Sequence, residues 1–192
     1  MKIIGVVGSP RKNGNTEFLV RKALEAADKD IKTELITLCD KKINHCLACG
    51  FKICSEGCVQ KDSMQEIRPK VLEADGMIIG SPTYFAMPSS LICAFLQRLI
   101  NLKGSKTGNL LKDKIGGVIA TGRHRGGGQC CVIKDIKNFF DVSDMIDVSS
   151  EGLELDSHLG GVGIGKEIDE FGIKSAEQLG KRMSEVLKKM KK

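Results

Sequence analysis

A doubly wound α/β fold, in which helices cover both faces of a five-stranded parallel sheet, is what the sequence predicts. Short β-branched runs alternate five times with stretches of helical periodicity. The strand runs are apolar almost throughout, which suits burial on both faces. A chain of 192 residues with 41% hydrophobic content suffices for one ordinary core, so a single domain over 1–192 is expected.

The run KIIGVVG (2–8) is the first strand, followed by a polar, glycine-containing loop and the helical pattern Phe18, Leu19, Ala23, Ala26. KTELITL (32–38) alternates polar and apolar residues as a strand does. Ser63 and Glu66 then form the S-x-x-E of a capping box, which predicts a helix over 63–73. DGMIIGSP (75–82) is the third strand, SSLICAFLQRLI (89–100) a helix and KIGGVIATG (114–122) the fourth strand. After a glycine loop come a helix at 129–140 and a fifth strand, DMIDVSS (144–150). In the last helix Ala176, Leu179, Met183, Val186, Leu187 and Met190 share one face at 3.6-residue spacing. The irregular stretches 39–62 and EGLELDSHLGGVGIG (151–165) read as insertions into this scaffold.

Composition narrows the function classes. The net charge of +6 comes partly from the terminal KKMKK, a solvated helix end. With no Trp and one Tyr there is little material for stacking on bases, so no nucleic acid is expected as a partner. Nowhere do 18 consecutive apolar residues occur, and MKIIGVVGSP lacks the longer apolar region of a signal peptide, so no membrane association and a cytoplasmic location are expected.

Ligands of doubly wound sheets sit beyond the carboxyl ends of the strands, so the loops there carry the function. GSPRKNGNT (8–16) offers Ser9, Arg11, Asn13, Asn15 and Thr16 beside the amino end of a helix, a combination that favours a phosphate. It matches neither G-x-G-x-x-G nor G-x(4)-G-K-[ST], because Asn15 stands where the lysine belongs, which argues against a magnesium–nucleotide site. SPTYFAMPSS (81–90) and TGRHRGGGQ (121–129) emerge at the same sheet edge. No Ser-His-Asp arrangement is visible, so no catalytic side chain is assigned.

Eight cysteines in a reducing compartment point to metal ligands, catalytic groups or core residues rather than disulfides. Cys46, Cys49, Cys54 and Cys58 are spaced C-x2-C-x4-C-x3-C, compact enough for one centre, and thiolates alone suit a [4Fe–4S] cluster or zinc; thiols without metal are the third reading. Cys39, Cys93, Cys130 and Cys131 lie on or beside regular elements and read as small packing residues.

On GSPRKNGNT, CLACGFKICSEGCVQKDSM, GSPTYFAMPSSLICAFLQR and TGRHRGGGQ, in that order and over nearly the whole chain, the sequence resembles the flavodoxin-like NAD(P)H-dependent FMN reductase family and, more closely, its iron–sulfur flavoprotein branch. The resemblance implies strand order 2-1-3-4-5. It implies that Ser9, Arg11, Asn13, Asn15 and Thr16 hold the FMN phosphate, and that Pro82, Thr83, Tyr84 and Phe85 line the ribityl chain and isoalloxazine ring. By the same resemblance Thr121, Gly122, Gly126, Gly127 and Gly128 approach the pyrimidine edge through backbone groups, although Tyr84 and Phe85 also read as core aromatics. Arg123 or Arg125 near the reduced ring would stabilise its negative charge. His124 reads either as a loop histidine or as a proton-transfer group. In the iron–sulfur branch the third cysteine usually follows the second after two residues, where this chain has Lys52 and offers Cys54 instead. Cys93 stands where relatives often have lysine.

The resemblance implies a homodimer or a dimer of dimers, assembled here through the cysteine segment. The first function class is a flavoprotein carrying FMN and a [4Fe–4S] cluster, exchanging electrons with a carrier such as ferredoxin. The others are a cluster-free NAD(P)H-dependent FMN or quinone reductase and a zinc-stapled binding module.

Overall fold

A computed structural model describes residues 1–124, 126–150, 161–164 and 170–191; Arg125 and most of the 151–165 stretch lie outside them. The strands β1 (Lys2–Val7), β2 (Lys32–Thr37), β3 (Gly76–Pro82), β4 (Ile115–Gly122) and β5 (Ile146–Asp147) form a parallel sheet in the order 2-1-3-4-5, as expected. The helices are α1 (Asn15–Glu25), α2 (Phe51–Cys54), α3 (Met64–Glu73), α4 (Ser90–Gln97), α5 (Ile100–Lys103), α6 (Gln129–Val142) and α7 (Glu170–Met190). No helix among the described residues is long and apolar enough to cross a membrane.

Period-two alternation within each strand divides the core into two layers. Ile4 and Val6 of β1 pack with Met77 and Ile79 of β3 against α3, α4 and α6, where Phe95, Ile136 and Phe140 are buried. Ile3 and Val7 pack with Ile78, Ile115 and Ile119 against α1 and α7, through Leu19, Val20, Leu179 and Met183. Both faces of the central strands are covered, which is why they read as unbroken apolar runs.

Three elements depart from the expectations. The fifth strand is two residues long rather than 144–150. The same edge of β4 is completed further along by β6 (Gly161–Ile164), which lies inside the stretch read as an insertion and pairs from Ile119↔Gly161 to Gly122↔Ile164. The helix expected over 89–100 divides at Arg98 and Leu99 into α4 and α5. The capping box does not form. Ser63 has helical φ and ψ and its hydroxyl accepts from the Lys42 N–H at 3.1 Å, so Asp62 receives the Met64 N–H at 3.0 Å, while Glu66 pairs with Lys41 at 2.5 Å.

Helix α7 lies against α1, and Gly180 is the point of closest approach: a Cβ added there would fall on the Ala23 carbonyl. Backbone at a helix–helix contact yields less readily than a side chain, so Gly180→Ala is expected to lower stability by about 1–3 kcal/mol through overpacking. Urea denaturation of the two proteins, with unchanged slope and a lower midpoint for the variant, checks this.

Candidate functional site

The parallel sheet delivers three loops to one edge. The first, between β1 and α1, is held mainly by its own atoms. Ser9 is buried and its hydroxyl accepts from the Arg11 N–H at 3.1 Å. Asn13 adopts a left-handed φ of 53°, and its N–H donates to Glu17 Oε2 at 2.8 Å. The cap position of α1 is Gly14, so no side chain competes for the helix amino end. Arg11 and Asn13 are exposed and Asn15 is half-buried. Glu17 escaped the sequence reading although Arg21 stands four residues on: the carboxylate is buried and receives Arg21 Nη2 at 2.8 Å, which balances its charge beside the loop.

Loops one and three are joined directly, because Thr16 Oγ1 and Thr121 Oγ1 share a hydrogen bond of 2.7 Å in a buried setting. Loops one and two are joined through Ser89, whose hydroxyl donates to the Gly8 carbonyl at 2.7 Å and accepts from the Ile92 N–H at the cap of α4. The Ser89 N–H in turn donates to Ser81 Oγ at 2.9 Å.

In loop two the Thr83 N–H donates to the Thr121 carbonyl at 2.7 Å. The Thr83 hydroxyl is buried and has no hydrogen-bond partner. Tyr84 to Met87 form a tight turn with both central residues left-handed, Phe85 at φ 51° and Ala86 at φ 60°. Neither is glycine, so the turn carries backbone strain on the order of 1–3 kcal/mol per residue. It presents Tyr84, Phe85 and Met87 to solvent, with Phe85 96% exposed. The reading of Tyr84 and Phe85 as core aromatics is therefore wrong.

Loop three runs from Thr121 to Gly128. The Gln129 amide donates to the His124 carbonyl at 2.6 Å, and the Gly127 N–H donates to the same carbonyl at 3.2 Å. Gly128 has φ 93°, and a Cβ there would lie 2.5 Å from Ala86 Cβ, so loops two and three touch at a point open only to glycine. Arg123 and His124 are exposed on this loop. Ser9, Thr16, Thr83, Thr121 and Gly128 are thus brought together at the carboxyl ends of β1, β3 and β4.

The cysteine segment is closed at its neck by backbone and side chain alike. The Ser63 N–H donates to the Lys42 carbonyl at 3.0 Å, the Asn44 N–H to Asp62 Oδ2 at 3.0 Å, and the Gln60 amide to the His45 carbonyl at 2.9 Å. Left-handed residues at Ala48, Gly50 and Gly57 wind the chain between these ties. The winding turns Cys46, Cys49, Cys54 and Cys58 onto one small cavity, completed by Arg98, Ile100 and Asn101. Burial pushes the Cys54 thiol pKa up, and the nearby sulfurs of Cys49, Cys58 and Cys46 push it further, with Arg68 opposing.

Arg98 is the residue that sequence reasoning missed. It stands at the end of α4, 1% exposed, and forms a forked ion pair with Asp62, 0% exposed, at 2.6 and 3.1 Å. Its Nη1 also donates to the Asn44 carbonyl at 2.9 Å and its Nη2 to Cys58 Sγ at 3.4 Å. Burial is the largest single influence and works against the charge on both partners; their mutual hydrogen bonds and charge attraction, joined by the Asn44 and Met64 N–H groups on Asp62 and by Cys58 on Arg98, together outweigh it, so Asp62 titrates below the usual carboxylate range and Arg98 above its ordinary value.

The remaining cysteines do not behave alike. Cys130 and Cys131 are exposed at the start of α6 with sulfurs 4.0 Å apart, which overturns their reading as packing residues. Cys93 and Cys39 are half-buried. Cys93 lines an apolar cleft of about 400 Å³ between α4 and α6, where burial and Asp135 push its thiol pKa up. Nothing in the structure explains a cysteine at that position.

The family model for NADPH-dependent FMN reductases matches residues 1–158. An iron–sulfur flavoprotein of Methanocaldococcus jannaschii is 42% identical, with 100% of each chain covered. An iron–sulfur flavoprotein of Methanosarcina thermophila is 31% identical over 100% of this chain and 98% of its own. The crystal structure of a flavodoxin, WrbA-like protein from Agrobacterium tumefaciens superposes with a TM-score of 0.69 at 14% identity, covering 98% of this chain and 97% of that one, a likeness of fold. With its strand order, its three converging loops and its four-cysteine cavity, the chain belongs to the NADPH-dependent FMN reductase family, in the branch of the iron–sulfur flavoproteins.

Proposed function

We propose that this protein is a redox flavoprotein that binds FMN over the three loops and a [4Fe–4S] cluster between Cys46, Cys49, Cys54 and Cys58, and that it exchanges electrons with a carrier such as ferredoxin. Family membership supports the coarser part of this reading, an oxidoreductase of the FMN type. The observation that carries the rest is the cysteine cavity itself: four thiols line one space and a buried arginine donates to one of the sulfurs. When bound, FMN supplies two-electron exchange and the cluster one-electron exchange.

The residues fit both groups. Around the flavin, the orphaned Thr83 hydroxyl is the clearest sign of a missing partner, since a buried hydroxyl without one costs about 1–3 kcal/mol. Ser9, Arg11, Asn13, Asn15 and Thr16 would hold the phosphate at the uncapped amino end of α1. Pro82, Thr83, Tyr84 and Phe85 would take the ribityl chain and ring, with Thr121, Gly122, Arg123, Gly126, Gly127 and Gly128 along the far edge. The exposed aromatic turn at Tyr84 and Phe85 would cover the ring and exclude water from it.

Around the cluster, the donor chemistry agrees: four thiols line one cavity. Among the described residues no three histidine, cysteine or carboxylate side chains converge on a single metal ion. The cavity is about 10 Å³, smaller than a four-iron core, and the neighbouring Ala48 and Gly50 are exposed.

The two sites lie at opposite ends of α4. Eight helical residues span about 12 Å, which keeps the cysteine cavity away from the same chain's flavin loops. Leu47, Val59 and Ile100 are exposed around the cavity, and Tyr84, Phe85 and Met87 around the loops. We therefore infer a homodimer or homotetramer in which the cluster of one subunit serves the flavin of its neighbour. In the same reading the chain is one FMN-binding domain with 39–62 as its cluster-bearing insertion, located in the cytoplasm, and ferredoxin or NAD(P)H is the electron donor.

The visible spectrum of anaerobically purified protein, with iron and acid-labile sulfide assayed on the same sample, tests the reading. Flavin bands over a broad brown absorbance with about four irons per chain are expected; a yellow spectrum without iron would make it a cluster-free reductase of FMN or quinones. Cys49→Ser should remove the iron while FMN stays bound, and joint loss of both would refute separate sites. Thr83→Val should raise the Kd for FMN roughly tenfold by deleting a hydrogen bond, while the flavin-free protein melts no lower than the parent, because an orphaned hydroxyl has gone. Light scattering of the cofactor-loaded protein should give a dimer or tetramer mass.

A further inference from the structure

The guanidinium of Arg98 does more than close an ion pair. Three contacts use its planar fork at once: both Asp62 oxygens, the Asn44 carbonyl and the sulfur of Cys58. Lysine, with a single nitrogen, has no geometry that reaches all of these. Asp62 cancels most of the arginine's long-range field, so what remains at the sulfur is a local charge-assisted donation at 3.4 Å. Hydrogen bonds to ligand sulfur withdraw electron density from it and favour the more negative, reduced state of an iron–sulfur centre. Arg98 is buried and is anchored by Asp62, which is itself held by the Asn44 and Met64 N–H groups, so the donor cannot swing away to solvent.

We infer that Arg98 sets the reduction potential of the cluster, raising it through Nη2 donation to Cys58, and that Asp62 is the positioning residue that aims it. This rests on the proposed cluster at Cys46, Cys49, Cys54 and Cys58. The donation distinguishes Cys58 from the other three cysteines, none of which receives an arginine among the described residues.

The test is a spectroscopically monitored redox titration of the full protein loaded with both cofactors, after iron and sulfide have been counted in each sample. Two variants are compared with the parent. Arg98→Lys keeps the charge near Asp62 and loses the reach to Cys58. The pair Arg98→Met with Asp62→Leu removes both charges together, which avoids leaving one buried without its partner. In each variant that holds its cluster the equilibrium constant for one-electron reduction should fall about tenfold, a shift of about 59 mV to lower potential, with the flavin potential unmoved.

A loaded variant with the parent's cluster potential would overturn the inference and leave the cluster reading intact, as would failure of both variants to hold iron while the parent does, since Arg98 would then serve assembly. A parent without iron would overturn the cluster reading and this inference with it.

Discussion

Asp62 and Arg98 are fully charged groups sealed from water, and the cysteine-bearing half of the molecule is arranged around keeping them so. Removing two ions from water costs several kcal/mol each, and the pair survives only because nearly every donor and acceptor on it is used. Asp62 takes the fork of Arg98 and the N–H groups of Asn44 and Met64; Arg98 gives its other bonds to the Asn44 carbonyl and Cys58. Of the polar atoms of this pair, the Arg98 Nε alone is buried without a partner among the described residues. One interaction thus caps α3, ends α4, fixes both limbs of the cysteine segment and touches a sulfur. Within this segment of some twenty residues with little regular structure, Leu47, Ile53 and Val59 are exposed rather than packed.

The side of the molecule that carries the loops is organised by the opposite logic. Its three loops are short, follow directly on buried strands, and are tied by neutral hydroxyl and backbone bonds: Thr16 to Thr121, Ser89 to Gly8, Thr83 to Thr121. Those ties hold the first loop in a preset shape, whereas strain and an orphaned hydroxyl collect in the second, at Thr83, Phe85 and Ala86. Cost concentrated where a ligand would relieve it is the pattern of a binding site.

Helix α4 connects the two halves. Ser89 caps its start and belongs to the loop network, and Arg98 closes its end and belongs to the cysteine network. Its buried face, with Ile92 and Phe95 in the core, makes it a rigid spacer. A helix anchored in both networks separates the loop cluster from the cysteine cavity within one chain, with Tyr84, Phe85 and Met87 exposed at one end and Leu47, Val59 and Ile100 at the other.

Sequence by itself determined the parallel sheet, its strand order by resemblance, the three loops and the four-cysteine group. Apart from the strand order, these are written in local pattern: unbroken apolar runs for strands covered on both faces, 3.6-residue spacing for the last helix, polar residues crowded where a strand ends. Tertiary structure alone decided the features that join residues distant in the chain. Asp62 and Arg98 are 36 residues apart, and neither spacing nor composition marks them as partners. Ser63 satisfied the local signature of a cap, yet the neck of the cysteine segment drew its hydroxyl to Lys42 and left the cap to Asp62. The far end of the β4 edge went to 161–164 rather than to a longer fifth strand, because an edge is closed by whichever backbone reaches it in register. Local periodicity states which face a residue turns inward; the residue it meets there depends on how the chain returns, and that is a property of the folded whole.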